Sequence, residues 1–131
     1  MSVFKMLAAA AGTALVLAGL TACGGGGGDN GSGCTPKGAG SGTAGQTVQV
    51  VSDPNTVGAF QPKTITAKKG DSLEWDFTDQ GNQHSVTADD GSFDSCLQSA
   101  GAKFLVTFAN AGTFNYHCTI HAQMTGVITV S

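Results

Sequence analysis

From Gln46 to the C-terminus, apolar and polar residues alternate with a period of two, not with the helical spacing of three to four. Val48 and Val50 share a face in "TVQVV". In "DSLEWDF", Leu73, Trp75 and Phe77 point one way while Glu74 and Asp76 point the other. Phe104, Val106 and Phe108 repeat the pattern in "KFLVTFA", and the β-branched run "TGVITVS" closes the chain. Turn residues separate these runs at Lys69-Gly70-Asp71, Asp79-Gln80-Gly81-Asn82, Asp89-Asp90-Gly91-Ser92 and Ala111-Gly112. The pattern predicts an all-β fold, a Greek-key antiparallel β-sandwich of seven to eight strands with no helix. Pro62 belongs at an edge or a strand start, where its missing N–H interrupts no ladder.

The same period sorts the residues of "NYHCTIHAQMTG". On a strand from Thr113 to Cys118, the side chains of Phe114, Tyr116 and Cys118 share the face that the aromatic pair marks as core. Asn115 and His117 take the opposite face. Cys118 is therefore expected inside, and His117 is expected to be a half-exposed surface residue outside any site.

The first 45 residues follow neither period. One cation, Lys5, precedes an apolar run from Met6 to about Leu20 that is short for a bilayer span and ends in small residues, the pattern of a secretory signal. Leu20-Thr21-Ala22-Cys23 resembles the bacterial lipobox, in which the cysteine is lipidated and becomes the mature N-terminus. The resemblance implies a chain anchored through Cys23 to the bacterial cell envelope, facing the periplasm or the exterior. From Gly24 to Gly45, 11 of 22 residues are glycine, too little apolar surface to offset ordering entropy, so this segment reads as a flexible linker. The expected organisation is a signal peptide at 1–22, a lipidated cysteine and linker at 23–45, and one globular domain at 46–131. After Cys23 the chain has five lysines, no arginine and nine acids. That balance argues against nucleic acid and against charge-driven binding to anionic lipid, so the lipid itself must hold the domain at a membrane.

Chemistry concentrates at the far end. His121 and Met124 follow Cys118 at spacings of three and three, and a turning loop after the strand would gather all three side chains. A fourth donor must come from elsewhere, and His84, in "GNQHSVTADD", is the histidine that remains. Thiolate plus two imidazoles, with methionine as a weak axial ligand, is the donor set of a type 1 copper site. Zinc takes thiolate, imidazole and carboxylate but has little use for thioether. The loop "YHCTIHAQMTGVITV" resembles the C-terminal copper loop of small cupredoxins, its Cys-x2-His-x2-Met spacing being similar to that of amicyanins and pseudoazurins. Upstream, "VGAFQPKTITAKKGDSLEWDFTDQGNQHSVT" resembles the family's tryptophan strand and first-histidine loop.

The resemblance implies one copper ion held by His84, Cys118, His121 and Met124, cycling between Cu(II) and Cu(I) in a one-electron carrier that is not an enzyme. It also implies a docking patch for a redox protein partner around His121, where Ile120 and Ala122 would supply apolar surface; the chain is expected to act as a monomer, though its sequence leaves the oligomeric state open. Two positions depart from the family: Ile120 stands where proline is common, and Ser85 where asparagine commonly ties the ligand loops together. The Thr119 N–H is a candidate donor to the thiolate, and equally an ordinary turn residue. Asp79, Asp89, Asp90 and Asp94 read either as turn formers or as an acidic rim. With Cys23 assigned to lipid and Cys118 to copper, Cys34 and Cys96 remain as a candidate disulfide, two free thiols, or partners of another chain. A copper module for delivery or storage is the alternative to electron transfer, since it would use the same donors.

Overall fold

The computed structural model describes residues 33–131; the signal-like segment, Cys23 and the first glycines lie outside the described residues. Eight strands follow in order: β1 (Gln46–Asp53), β2 (Val57–Gln61), β3 (Thr64–Ala67), β4 (Ser72–Phe77), β5 (Thr87–Ala88), β6 (Lys103–Thr107), β7 (Gly112–Cys118) and β8 (His121–Val130). They form two four-stranded sheets, ordered β2-β1-β4-β6 and β3-β8-β7-β5. The inward residues of the alternating runs meet between the sheets: Val48, Val50, Leu73, Trp75 and Ile128 are all fully buried. Trp75 spans the layer, its ring 6.3 Å from Phe104 on its own sheet and 5.5 Å, edge-on, from Tyr116 on the other. Burying one such side chain is worth about 1.5–3 kcal/mol, and a one-residue slip would expose the whole row, so the register is strongly fixed. Among the described residues no helix is long and apolar enough to cross a membrane.

Two pairings differ from the antiparallel expectation. β1 runs parallel to β4, with Val48 opposite Trp75, and β3 runs parallel to β8, with Ile65 opposite Ile128. The sandwich is therefore mixed. A two-residue period fixes which face of a strand is buried but not the direction of its neighbour. Between β1 and β4 the chain doubles back as β2, crosses to the other sheet as β3 and returns, so β4 enters pointing the same way as β1. The turn that makes the crossing holds Pro62, whose peptide bond with Gln61 is cis.

The glycine-rich segment before β1 is held against the domain from Cys34 onward. Cys34 is disulfide-bonded to Cys96, with Cα atoms 5.9 Å apart. Lys37 and Asp94 exchange two backbone hydrogen bonds, of 2.9 and 3.0 Å, Gly40 N–H donates to Leu105, and Gly45 N–H donates to Ser72. Residues 34–45 thus lie along the domain as a strap. The glycines serve close approach here, not freedom: a Cβ on Gly38 would press on Phe93, and one on Gly40 would sit 2.8 Å from the Thr107 amide nitrogen. Composition alone cannot separate these two uses of glycine.

Candidate metal centre

At the end of β7 the alternation turns Tyr116 and Cys118 into the core, each 1% exposed, and leaves His117 half-buried. The chain then turns through Thr119 and Ile120, and β8 opens on His121. Register shifts at this point, for His117 lies opposite Thr125 while Cys118 lies opposite His121. Ala122, Gln123 and Met124 therefore have no partner on β7. This bulge breaks the two-residue period, so His121 and Met124, an odd number of positions apart, can both turn to Cys118. His84 arrives from the segment between β4 and β5. Its backbone is clamped in both directions against Gln98, at 3.1 and 2.8 Å, and its ring is 1% exposed.

The four side chains converge. His84 Nδ1 lies 3.0 Å from His121 Nδ1, and the Cys118 Sγ is 4.0 Å from the first and 3.6 Å from the second. A point inside that triangle lies about 2.1 Å from all three atoms, against metal–imidazole and metal–thiolate bonds of about 2.0 and 2.3 Å. Met124 approaches His84 on the side of Gly58. A Cβ built on Gly58 of β2 would fall 2.8 Å from Met124 Sδ and 2.9 Å from His84 Nδ1, so the thioether and the imidazole flank one spot that only a glycine leaves open. Met124 itself is 1% exposed. With Cys34 and Cys96 bonded to each other, Cys118 is the free cysteine among the described residues, and it is buried.

Hydrogen bonds fix these groups. Ser85 N–H donates to Cys118 Sγ at 3.3 Å, the role that sequence reading offered to Thr119. Thr119 N–H instead donates to Ser85 Oγ at 2.9 Å, so the fully buried Ser85 ties the two ligand segments together with its amide and its hydroxyl. The Ser85 hydroxyl also meets Thr87 Oγ1, which donates to Asp94 Oδ1. Behind His84, its Nε2 faces Asp79 Oδ2 at 2.7 Å. Asp79 is pulled down to about 2, first by this hydrogen bond to His84, with burial opposing and the Gly81 and Asn82 donors assisting. Burial first, and His84 second, hold His121 below the usual histidine value.

The description "Cupredoxin-like domain" matches residues 34–130, the strap included. The chain belongs to the cupredoxin-like family. It is 36% identical over 90 residues to plastocyanin of Nostoc punctiforme, an alignment covering 55% of this chain and 64% of that protein. The structure is similar to a purple cupredoxin from Nitrosopumilus maritimus (TM-score 0.53, 22% identity, 63% of this chain and 98% of that one). It is also similar to a reduced amicyanin mutant (TM-score 0.54, 24% identity, 74% and 92%). At these identities the structural likeness establishes the fold alone. In this cupredoxin His84, Cys118, His121 and Met124 form a candidate site for one type 1 copper ion, the group their soft, three-plus-one donor set suits.

Other residues singled out by sequence fall as follows. His117 stays outside the site, its Nδ1 2.6 Å from Asp89 Oδ1. Asp89 and Asp90 are exposed, but Asp79 is 6% exposed and belongs behind His84, not to any rim. Ile120 is 52% exposed and Ala122 is exposed, flanking His121. Val57, which sequence reading passed over, is 48% exposed and lines the same groove with Asn55 and Thr56. Its φ of 70° is a rare setting for a β-branched residue, and no local pattern marks it.

Proposed function

We propose that this cupredoxin is a membrane-tethered one-electron carrier with a single type 1 copper centre held by His84, Cys118, His121 and Met124. The observation that supports it best is the near-equidistant point between His84 Nδ1, Cys118 Sγ and His121 Nδ1, with the Met124 thioether close to His84 across Gly58. Bound copper supplies a couple that takes up and releases one electron. The chain supplies the constancy. His84 is clamped at its backbone and at Nε2, and Cys118 is held by the Ser85 amide. Rigid donors of this kind limit the movement between oxidation states, which favours transfer over the ready metal exchange of a delivery or storage module.

The half-buried His121 would be the ligand through which a bound copper ion reaches the surface. Around its ring Val57, Ile120 and Ala122 present apolar surface, suited to brief docking of a redox protein partner. Export and lipidation at Cys23 belong to the same reading. The test is addition of Cu(II) to the full chain, followed by redox titration. An intense blue or green thiolate-to-copper absorption, reversible by one electron and abolished by Cys118→Ser, is expected. Uptake of zinc alone, or a colourless and rapidly exchanging Cu(I) complex, would overturn the carrier reading. Mass spectrometry of the mature N-terminus tests the tether, and an unlipidated Cys23 would remove it.

A further inference from the structure

Nothing in the donor set itself requires Asp79, yet it is the most buried carboxylate next to the site and the only side chain touching the far nitrogen of a ligand among the described residues. We propose that Asp79 is a positioning residue that presets His84 for metal and lowers the reduction potential of the centre. The inference rests on the copper reading above.

The geometry gives two links. Asp79 Oδ1 accepts the Gly81 N–H at 2.8 Å, and Oδ2 accepts the Asn82 amide at 3.3 Å while facing His84 Nε2 at 2.7 Å. An ionised carboxylate only accepts, so the His84 proton sits on Nε2 and the bare lone pair sits on Nδ1. Nδ1 is the nitrogen turned to Cys118 and His121. The ring is therefore held in the tautomer and the orientation that a metal needs before any metal arrives, as second ligand-shell carboxylates do elsewhere.

The second link is charge. His84 is 1% exposed and Asp79 6%, so water screens the pair poorly. With Cys118 as thiolate and Asp79 as carboxylate, the charges of an oxidised Cu(II) centre sum to zero and those of a reduced Cu(I) centre to minus one. Buried surroundings disfavour the second state. Removing the carboxylate charge shifts these sums to plus one and zero and makes the electron easier to accept. Changes of this kind alter metal binding by about 10–100-fold. If the effect falls on Cu(II) and not on Cu(I), the one-electron potential rises by about 59–118 mV at 59 mV per tenfold.

The full chain, copper-loaded, would be titrated at neutral pH as wild type, as Asp79→Asn, and as Asp89→Asn, which removes an exposed charge bonded to His117 and to none of the four donors. A second measurement needs no variant: long-range proton–nitrogen NMR of the metal-free wild type reads which nitrogen of His84 bears hydrogen. The proposal expects Nε2–H in the wild type, a potential higher by about 59–118 mV in Asp79→Asn, and an unchanged potential in Asp89→Asn. It is overturned by Nδ1–H in the wild type, or by a coloured Asp79→Asn centre at the wild-type potential, or by an equal rise in Asp89→Asn. Should Asp79→Asn not fold, the wild-type tautomer decides. If wild type takes up no copper, the carrier reading fails on its own while the tautomer still decides whether Asp79 presets His84.

Discussion

Replacing Gly58 by alanine should disturb the metal centre while leaving the two sheets in place. The added Cβ would lie 2.8 Å from Met124 Sδ and 2.9 Å from His84 Nδ1, and nearer still to His84 Cε1. Ordinary non-bonded contacts to carbon are about 3.5–4.0 Å, so the methyl needs roughly 1 Å of room. Retreat of β2 is opposed by its ladder with β1, where Gly58 pairs with Ser52, and by the Thr56 hydroxyl bound to the Gly58 carbonyl at 2.8 Å. His84 is pinned at its backbone by Gln98 and at Nε2 by Asp79. Met124, unbranched and adaptable, yields most readily, but the closest approach is to the His84 ring, which must shift as well. Overpacking of this kind costs about 1–3 kcal/mol, which for a domain of this size lowers Tm by about 4–8 °C per kcal/mol. The copper-loaded chain should also show a shifted thiolate-to-copper band and weaker copper binding, because the thioether and one imidazole are both displaced. Gly45→Ala is the control: its Cβ meets only the Ser72 carbonyl at 3.7 Å, and its effect should stay within about 0.5 kcal/mol. Thermal melts of the metal-free chains and visible spectra of the loaded ones give the answer. A Gly58→Ala chain with the wild-type melt, spectrum and copper affinity would refute the packing of Met124 and His84 against β2.

Opening the Cys34–Cys96 bond, which spans 62 residues, should lower stability by about 4 kcal/mol on the chain-entropy model; denaturant titration of the Cys34→Ser, Cys96→Ser double variant checks it, and a loss below about 1 kcal/mol would show that the strap holds without its bond. Ser85→Ala leaves the amide on Cys118 Sγ but strips the Thr119 N–H of its partner, so a loss of about 1–3 kcal/mol with the colour retained is expected, and an unchanged melt would contradict the bridging role. His117→Ala should keep the full copper absorption, since His117 pairs with Asp89 on the opposite face; loss of colour would show the strand face to be wrongly assigned. Asp79 titrates at about 2 in the fold against an ordinary 3.8, so its contribution is present above pH 3.8 and is lost as pH falls through about 2. The stability gap between metal-free wild type and Asp79→Asn, measured by urea titration, should therefore be open at neutral pH and close near pH 2, and a gap that persists there would point to packing instead of charge.

What could be read from sequence divides along a physical line. The two-residue period reports the exposure of a strand's faces, and so Val48, Val50, Leu73 and Trp75 were legible as core, Cys118 as inward and His117 as outward. Strand direction leaves no trace in that period, which is why the parallel β1–β4 and β3–β8 pairs were not anticipated. The contacts of residues 34–45 leave no trace in composition for a related reason, because glycine that allows freedom and glycine that allows contact look alike there.

The donors at the candidate site could be picked out because coordination chemistry admits few side-chain types, and a chain with three histidines offers few choices. What surrounds those donors obeys no such restriction. A hydroxyl, an amide or a carboxylate can each satisfy a buried imidazole or thiolate, and any loop that passes close enough can supply it. Ser85 stands beside the ligand it ties yet bonds across to Thr119, while Asp79 sits five positions before His84 in what reads as a plain turn. Both are fixed by tertiary approach, not by local pattern. The type of metal is thus written in residue identity, whereas the potential at which that metal works is written in which neighbours reach the second nitrogen and the sulfur. Two chains with the same four donors can therefore differ widely in redox behaviour, and in this one the difference should lie first with the carboxylate behind His84.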